Sequence, residues 1–280
     1  MEWLLEPFDL AFQQRALIGG SLAAIALSLV GTWVVIRGMS FLGDALVHGI
    51  IPGVALAVLF DFNVILGALG AAGVMLMGIN LVHRQTTFSE DTSIGLLFVG
   101  MLGIGVILVS TTTSYTGSLT TILFGDALGV TSQDIVMLAA LVAIVGVVSA
   151  ALYRPFLVLS FNEQKARLLG LRPRLAHAAL LLLITLAIIG SFQTVGTLLV
   201  FGLLVGPPAT AAIVVRRVPA MMALAVVFSI LSVFVGLIVS YHADTSASAT
   251  IAVTPIILFF VVLAIRNVVD RRRSATAVAA

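Results

Sequence analysis

The sequence predicts an all-α polytopic membrane protein with about nine transmembrane helices, eight and ten being the neighbouring counts. Three observations carry that prediction. Of the 280 residues, 61% are hydrophobic and 9% charged, and the mean hydropathy is +1.23, which excludes a soluble globular domain and a disordered chain alike. Apolar runs near 16–36, 45–60, 62–82, 93–111, 135–153, 175–191, 194–214, 220–241 and 248–269 each approach the roughly 20 residues that one crossing requires. The arginines sit at alternate connections: Arg37, Arg84, Arg154 through Arg174, Arg216 and Arg217, then Arg266 and Arg271 to Arg273. With those ends cytoplasmic, Glu2, Glu6, Asp9, Asp61, Asp126, Asp134 and Asp244 fall on the other face, a positive-inside pattern with the N-terminus outside.

Acidic and basic residues nearly cancel, at +2 overall, so no nucleic-acid surface is indicated. Cysteine is absent, which closes off thiolate sites and leaves His, carboxylate and backbone oxygen as metal donors. The opening MEWLLEPFDLAFQQR lacks a basic region and a small-residue cleavage site, so no removable signal peptide is expected. No connection is long enough to fold alone, and residues 1–280 read as one membrane domain.

The second apolar run carries the chemistry, in FLGDALVHGIIPGVALA at 41–57. Asp44 and His48 are four apart and share one face of a helix. Pro52 has no N–H for the His48 carbonyl, so a bend and a free oxygen are expected there. Beside that face, Ala45, Gly49, Gly53 and Ala57 form the small-every-fourth stripe that lets membrane helices approach closely. An alternative makes Asp44 the N-cap of a helix starting at Ala45. Ionisable groups within a membrane are costly and usually functional.

Residues 112–134 contain an apolar patch too short to cross, expected as an interfacial or re-entrant helix. The most polar segment, RPFLVLSFNEQKARLLGLRPR at 154–174, reads as a short amphipathic cytoplasmic helix ended by Gly170 and Pro173. It is either an ordinary surface helix or a docking helix for a partner. Pro207 and Pro208, after Gly206, are expected either to end the seventh helix or to break it along a pathway. His242 and Asp244, two apart at the outer end of the eighth, would not face each other on a helix, but in an extended loop would form a candidate entrance site.

No phosphate-binding loop is present, because the sole lysine, Lys165, follows Gln164 rather than glycine. If ATP drives transport, a partner hydrolyses it. Only Asp44 is a carboxylate well placed in a span, which weakens a proton-relay carrier.

The sequence resembles the membrane permease subunits of ATP-binding-cassette importers for zinc and manganese. The resemblance rests, in chain order, on RGMSFLGDALVHGIIPGVALA (37–57), EDTSIGLL (90–97), ILFGDALGVTSQD (122–134), SFNEQKARLLGL (160–171), VGTLLVFGLLVGPPATA (195–211) and SYHADTSASATI (240–251). It implies a type II importer fold, a homodimer with a central pathway, cytoplasmic ATPase subunits, an extracytoplasmic metal-binding protein, and a bacterial cytoplasmic membrane. By resemblance Asp44 and His48 match the acidic–histidine pair of metal passage. The segment holding Ser160, Phe161, Asn162, Glu163, Lys165, Ala166, Arg167 and Gly170 matches the helix that meets the ATPase. Thr245, Ser246 and Ala247 depart from the Pro and Gly the family often has there, and Asn162 stands where it often has an acid. Two copies of Asp44 and His48 would offer four ligands suited to Zn²⁺ or Mn²⁺, with Fe²⁺ not distinguished. Acid should weaken binding, which needs neutral imidazole and ionised carboxylate. A proton-coupled carrier acting alone and a non-transporting scaffold remain the other classes.

Overall fold

The computed structural model describes residues 6–110 and 127–279. Of the stretch 112–134, where an interfacial or re-entrant helix is expected, residues 112–126 lie outside the described residues, as do the side chains of Glu163, Gln193 and Thr194. After a 3-10 turn at Glu6–Asp9, the helices are α1 (Ala11–Ile36), α2 (Ser40–Gly49), α3 (Ile51–Leu59), α4 (Val64–Gln85), α5 (Glu90–Ser110) and α6 (Ser132–Ala151). They continue as α7 (Tyr153–Phe161), α8 (Glu163–Leu168), α9 (Pro173–Val195), α10 (Thr197–Val214), α11 (Val218–Ala243) and α12 (Ala247–Ala279). Nine segments among the described residues are long and apolar enough to cross a membrane, α2 and α3 counting together as Ser40–Leu59.

α1 is the central post, packed against α6, α9, α10 and α11. Its Ala23, Ala24, Ala26, Leu27, Val30 and Trp33 are fully buried, so apolar residues here serve helix contact rather than lipid contact. The Ser40–Leu59 span is 72% buried, whereas the last span is 17% buried, which places α2 and α3 inside the bundle and α12 at its rim.

The basic ends meet as the arginine pattern requires. Trp33, near the end of α1, makes edge contacts with Tyr153 and Phe156 of α7. Arg266 of α12 donates to the Ile213 carbonyl at the end of α10 and pairs with Asp270 at 3.5 Å. At the other end, Phe8 stacks on Phe234 of α11, 5.3 Å between centroids.

Four expectations are corrected. Asp44 is not an N-cap: α2 begins at Ser40, so Asp44 lies in its second turn. The sixth and seventh crossings do not part at residues 191–193; the helix runs to Val195 and breaks at Gly196, whose φ of 79° suits glycine. The 154–174 segment holds two helices, because Asn162 is extended (φ −161°, ψ 108°) and its side chain accepts the Lys165 N–H at 2.9 Å, capping α8. Gly170, at φ 68°, then ends α8, with its N–H on the Arg167 carbonyl and the Leu171 N–H on that of Ala166.

Finally, α10 passes through Pro207 and Pro208 without a break. Each proline strands a carbonyl four residues earlier, at Leu203 and Leu204. Buried membrane helices tolerate this where neighbours reoccupy the freed oxygens. Gly31 of α1 does so at Leu204, whose oxygen fills the place a Cβ would take.

Candidate metal-passage site

The site helix is launched by a glycine turn. Gly38, at φ 66°, closes α1 with its N–H on the Val35 carbonyl and the Met39 N–H on that of Val34. The chain then reverses directly into α2. Asp44 and His48 come together as their spacing requires: Asp44 Oδ1 lies 3.6 Å from His48 Nε2. Their side chains are 29% and 26% exposed, while Leu42, Ala45, Leu46 and Val47 around them are buried. The pair therefore opens outward from an otherwise packed helix, near the middle of the Ser40–Leu59 span.

The helix is interrupted at Ile50, two residues before Pro52. Ile50 keeps helical dihedrals (φ −79°, ψ −17°) and donates to the Leu46 carbonyl at 3.2 Å, and Val54 donates to Ile50 at 3.0 Å. What is lost is the single bond Pro52 would have made to the His48 carbonyl. Pro52 is itself covered by α5, its Cδ 3.4 Å from where a Cβ of Gly105 would stand.

The small stripe lies against α4. Gly49 faces the Met75 sulfur, and Gly53 and Gly67 rest on each other's carbonyls. Ala71 Cβ would stand 2.7 Å from a Cβ on Gly53. With no Cβ at either glycine, the backbones touch.

Two features of the site were not read from the sequence. Phe98 of α5 sets its ring edgewise to His48 at 5.9 Å, and to Phe41 at the same separation; a lone phenylalanine in an apolar helix carries no signal of this. Leu204 of α10 fills the hollow at Gly43, its Cδ2 2.6 Å from where a Cβ would stand. The GPP motif marked that helix but not this contact.

His242 and Asp244 do not lie in an extended loop. His242 is in the last turn of α11, its ring edgewise to Tyr241 at 5.2 Å, and Asp244 caps the helix in the left-handed conformation (φ 50°, ψ 42°). Ser246, in the departed loop, takes up the start of α12, its Oγ accepting the Ala249 N–H at 3.5 Å and its carbonyl the Thr250 N–H at 3.0 Å. In α8, Ala166 is buried while Phe161, Leu168 and Leu169 beside it are 73%, 87% and 65% exposed. Among the described residues, no cluster of three or more His, Cys, Asp or Glu forms within the chain.

This architecture of packed membrane helices around the span that carries Asp44 and His48 has known counterparts. Residues 9–266 match the ABC 3 transport family. The chain belongs to that family. Among its relatives, the "Probable iron transport system membrane protein" of Haemophilus influenzae is 34% identical over 94% of this chain and 97% of its own length. The "Manganese transport system membrane protein MntC" of Listeria monocytogenes is 35% identical over 90% and 89%. Among solved structures, "PsaBC from Streptococcus pneumoniae in complex with Fab" superposes with a TM-score of 0.83 at 28% identity, over 93% of this chain and 94% of that one.

Proposed function

We propose that this ABC 3 family protein is the permease subunit of a bacterial importer for a divalent transition metal, with Mn²⁺ the favoured cargo. A binding protein delivers the metal on the outer face and ATPase subunits drive passage from the cytoplasm. The observation that carries the reading is the pair Asp44 and His48, 3.6 Å apart and turned out of a packed helix. Carboxylate with imidazole suits Mn²⁺, Fe²⁺ and Zn²⁺. The names of the relatives favour manganese over zinc. Among the described residues one chain brings only these two ligands together, so a homodimer, with two Asp44 and two His48 across its axis, makes the site complete. The His48 carbonyl, denied its donor by Pro52, is a further oxygen.

Coupling falls to α7 and α8. The exposed Phe161, Leu168 and Leu169 offer an apolar face for the ATPase, with Ser160, Asn162, Lys165 and Arg167 along its polar edge and Gly170 closing the turn. ATP-driven approach of the partners would then switch the pathway between outward and inward access.

Proteoliposomes holding the permease, its ATPase, a binding protein on the receiving face and a metal-sensitive dye test the reading. ATP-dependent Mn²⁺ uptake in excess of Zn²⁺ uptake is expected. Asp44→Ala should abolish it while leaving assembly with the ATPase intact. Uptake without ATP that follows a pH gradient would instead establish a proton-coupled carrier, and normal uptake by Asp44→Ala would remove the site.

A further inference from the structure

We infer that Leu204 is a positioning residue for Asp44, fixing from α10 the height at which the ligand-bearing helix α2 sits. The inference rests on the proposed reading of Asp44 and His48 as metal ligands and assigns how they are held. Leu204 is fully buried and is gripped from two sides. Its side chain enters the hollow at Gly43, the residue immediately before Asp44. Its carbonyl, stranded by Pro208, lies where a Cβ of Gly31 would be, so a Cα hydrogen of α1 takes the place of the missing N–H. Pro208 Cγ closes the same spot, 3.1 Å from that Cβ position.

The two grips differ in stiffness. Against α1 the contact is backbone on backbone, which cannot yield without parting the helices. Against α2 it is the end of one side chain. α10 also packs along α11 and α12, so any displacement of that group is delivered through Leu204 to the residue beside the ligand. The same asymmetry makes the contact testable. A Cβ at Gly43 would stand 2.6 Å from Leu204 Cδ2 where ordinary contact begins at 3.4 Å, so 3.4 − 2.6 = 0.8 Å must be made up between the Leu204 methyl and the α2 backbone, and the full burial of Leu204 leaves its side chain little space to take all of it. Metal ligands hold their distances to within about 0.2 Å. A displacement of that size leaves the fold in place and disturbs the site.

The experiment compares Mn²⁺ uptake and thermal midpoint for the full permease, assembled with its ATPase and binding protein, as wild type, Asp44→Ala, Gly43→Ala and Gly43→Ala/Leu204→Ala. Gly43→Ala should lower uptake about tenfold or more and raise KM. The double substitution should recover most of that loss even though removal of the Leu204 side chain lowers its thermal midpoint below that of Gly43→Ala. Uptake and stability then move in opposite directions, which a merely structural contact does not produce. A double variant no better than Gly43→Ala, or uptake that ranks with thermal midpoint across the set, overturns the positioning role. Normal uptake by Asp44→Ala overturns the ligand reading, and the inference with it, and is distinguishable because it appears in a chain whose Leu204 contact is untouched.

Discussion

Substituting Gly53 by Ala should separate α3 from α4, and the size of the effect follows from the contact. A Cβ there would meet the Gly67 carbonyl carbon at 2.6 Å and Ala71 Cβ at 2.7 Å, against ordinary contact from 3.4 Å. The Gly67 carbonyl oxygen stands closer still, so the helices must move apart by more than about 0.8 Å, and a gap of that order forfeits at least about a quarter to a half of each dispersion contact across it. Because lipid tails are as apolar as the interface, packing is what holds these helices together, and overpacking costs about 1–3 kcal/mol. Gly73 on the same helix α4 supplies the control: nothing lies within 4 Å of its Cβ position. There alanine only raises helix propensity, by up to about 1 kcal/mol. The two variants should therefore differ by about 1–4 kcal/mol in opposite senses. Thermal unfolding of the purified chain in detergent, followed by intrinsic tryptophan fluorescence, reads the difference. Equal midpoints for Gly53→Ala and Gly73→Ala would show that α3 and α4 are not in backbone contact, and the close-packing argument would fall.

Three further outcomes are expected. Metal affinity of the assembled permease should decline as the medium is acidified, because metal binding to imidazole and carboxylate ligands displaces protons; isothermal titration giving the same Kd in neutral and mildly acidic buffer would exclude an imidazole ligand. Asn162→Ala should cost about 1 kcal/mol of local helix stability by removing the cap on α8, and Asn162→Asp should restore it; ATPase pull-down that weakens for Ala and not for Asp checks this. Ser28 of α1 and Ser229 of α11 share a buried hydrogen bond of 2.5 Å, so Ser229→Ala should destabilise by about 0.6–1.7 kcal/mol, and a chemical-denaturation series showing no change would count against it.

What was legible in the sequence is what a membrane enforces locally. The crossings followed from run length, because only long apolar segments suit lipid, while the arginines set the direction expected of them. Asp44 and His48 share a face by helix periodicity alone. The stripe from Ala45 to Ala57 announced a close helix contact, although not that α4 would be the partner. The failures are all of another kind. Whether Pro207 and Pro208 interrupt a helix depends on Gly31, far away in the chain, reaching the oxygen they strand. The choice of Gly196 over residues 191–193 turns on a backbone dihedral that composition does not report. Asn162 divides the cytoplasmic segment through a cap hydrogen bond, while an amphipathic pattern reads smoothly across it.

The ring of Phe98 against His48 has a consequence for hydration. An ion approaching the imidazole on the proposed path meets an aromatic edge on that flank, where water finds no hydrogen-bond partner, and must shed part of its shell. Magnesium releases water reluctantly and demands near-ideal octahedral geometry. Discrimination against the most abundant divalent ion of the cell would then reside in a residue that offers it nothing, with the ligands themselves left free to be generous.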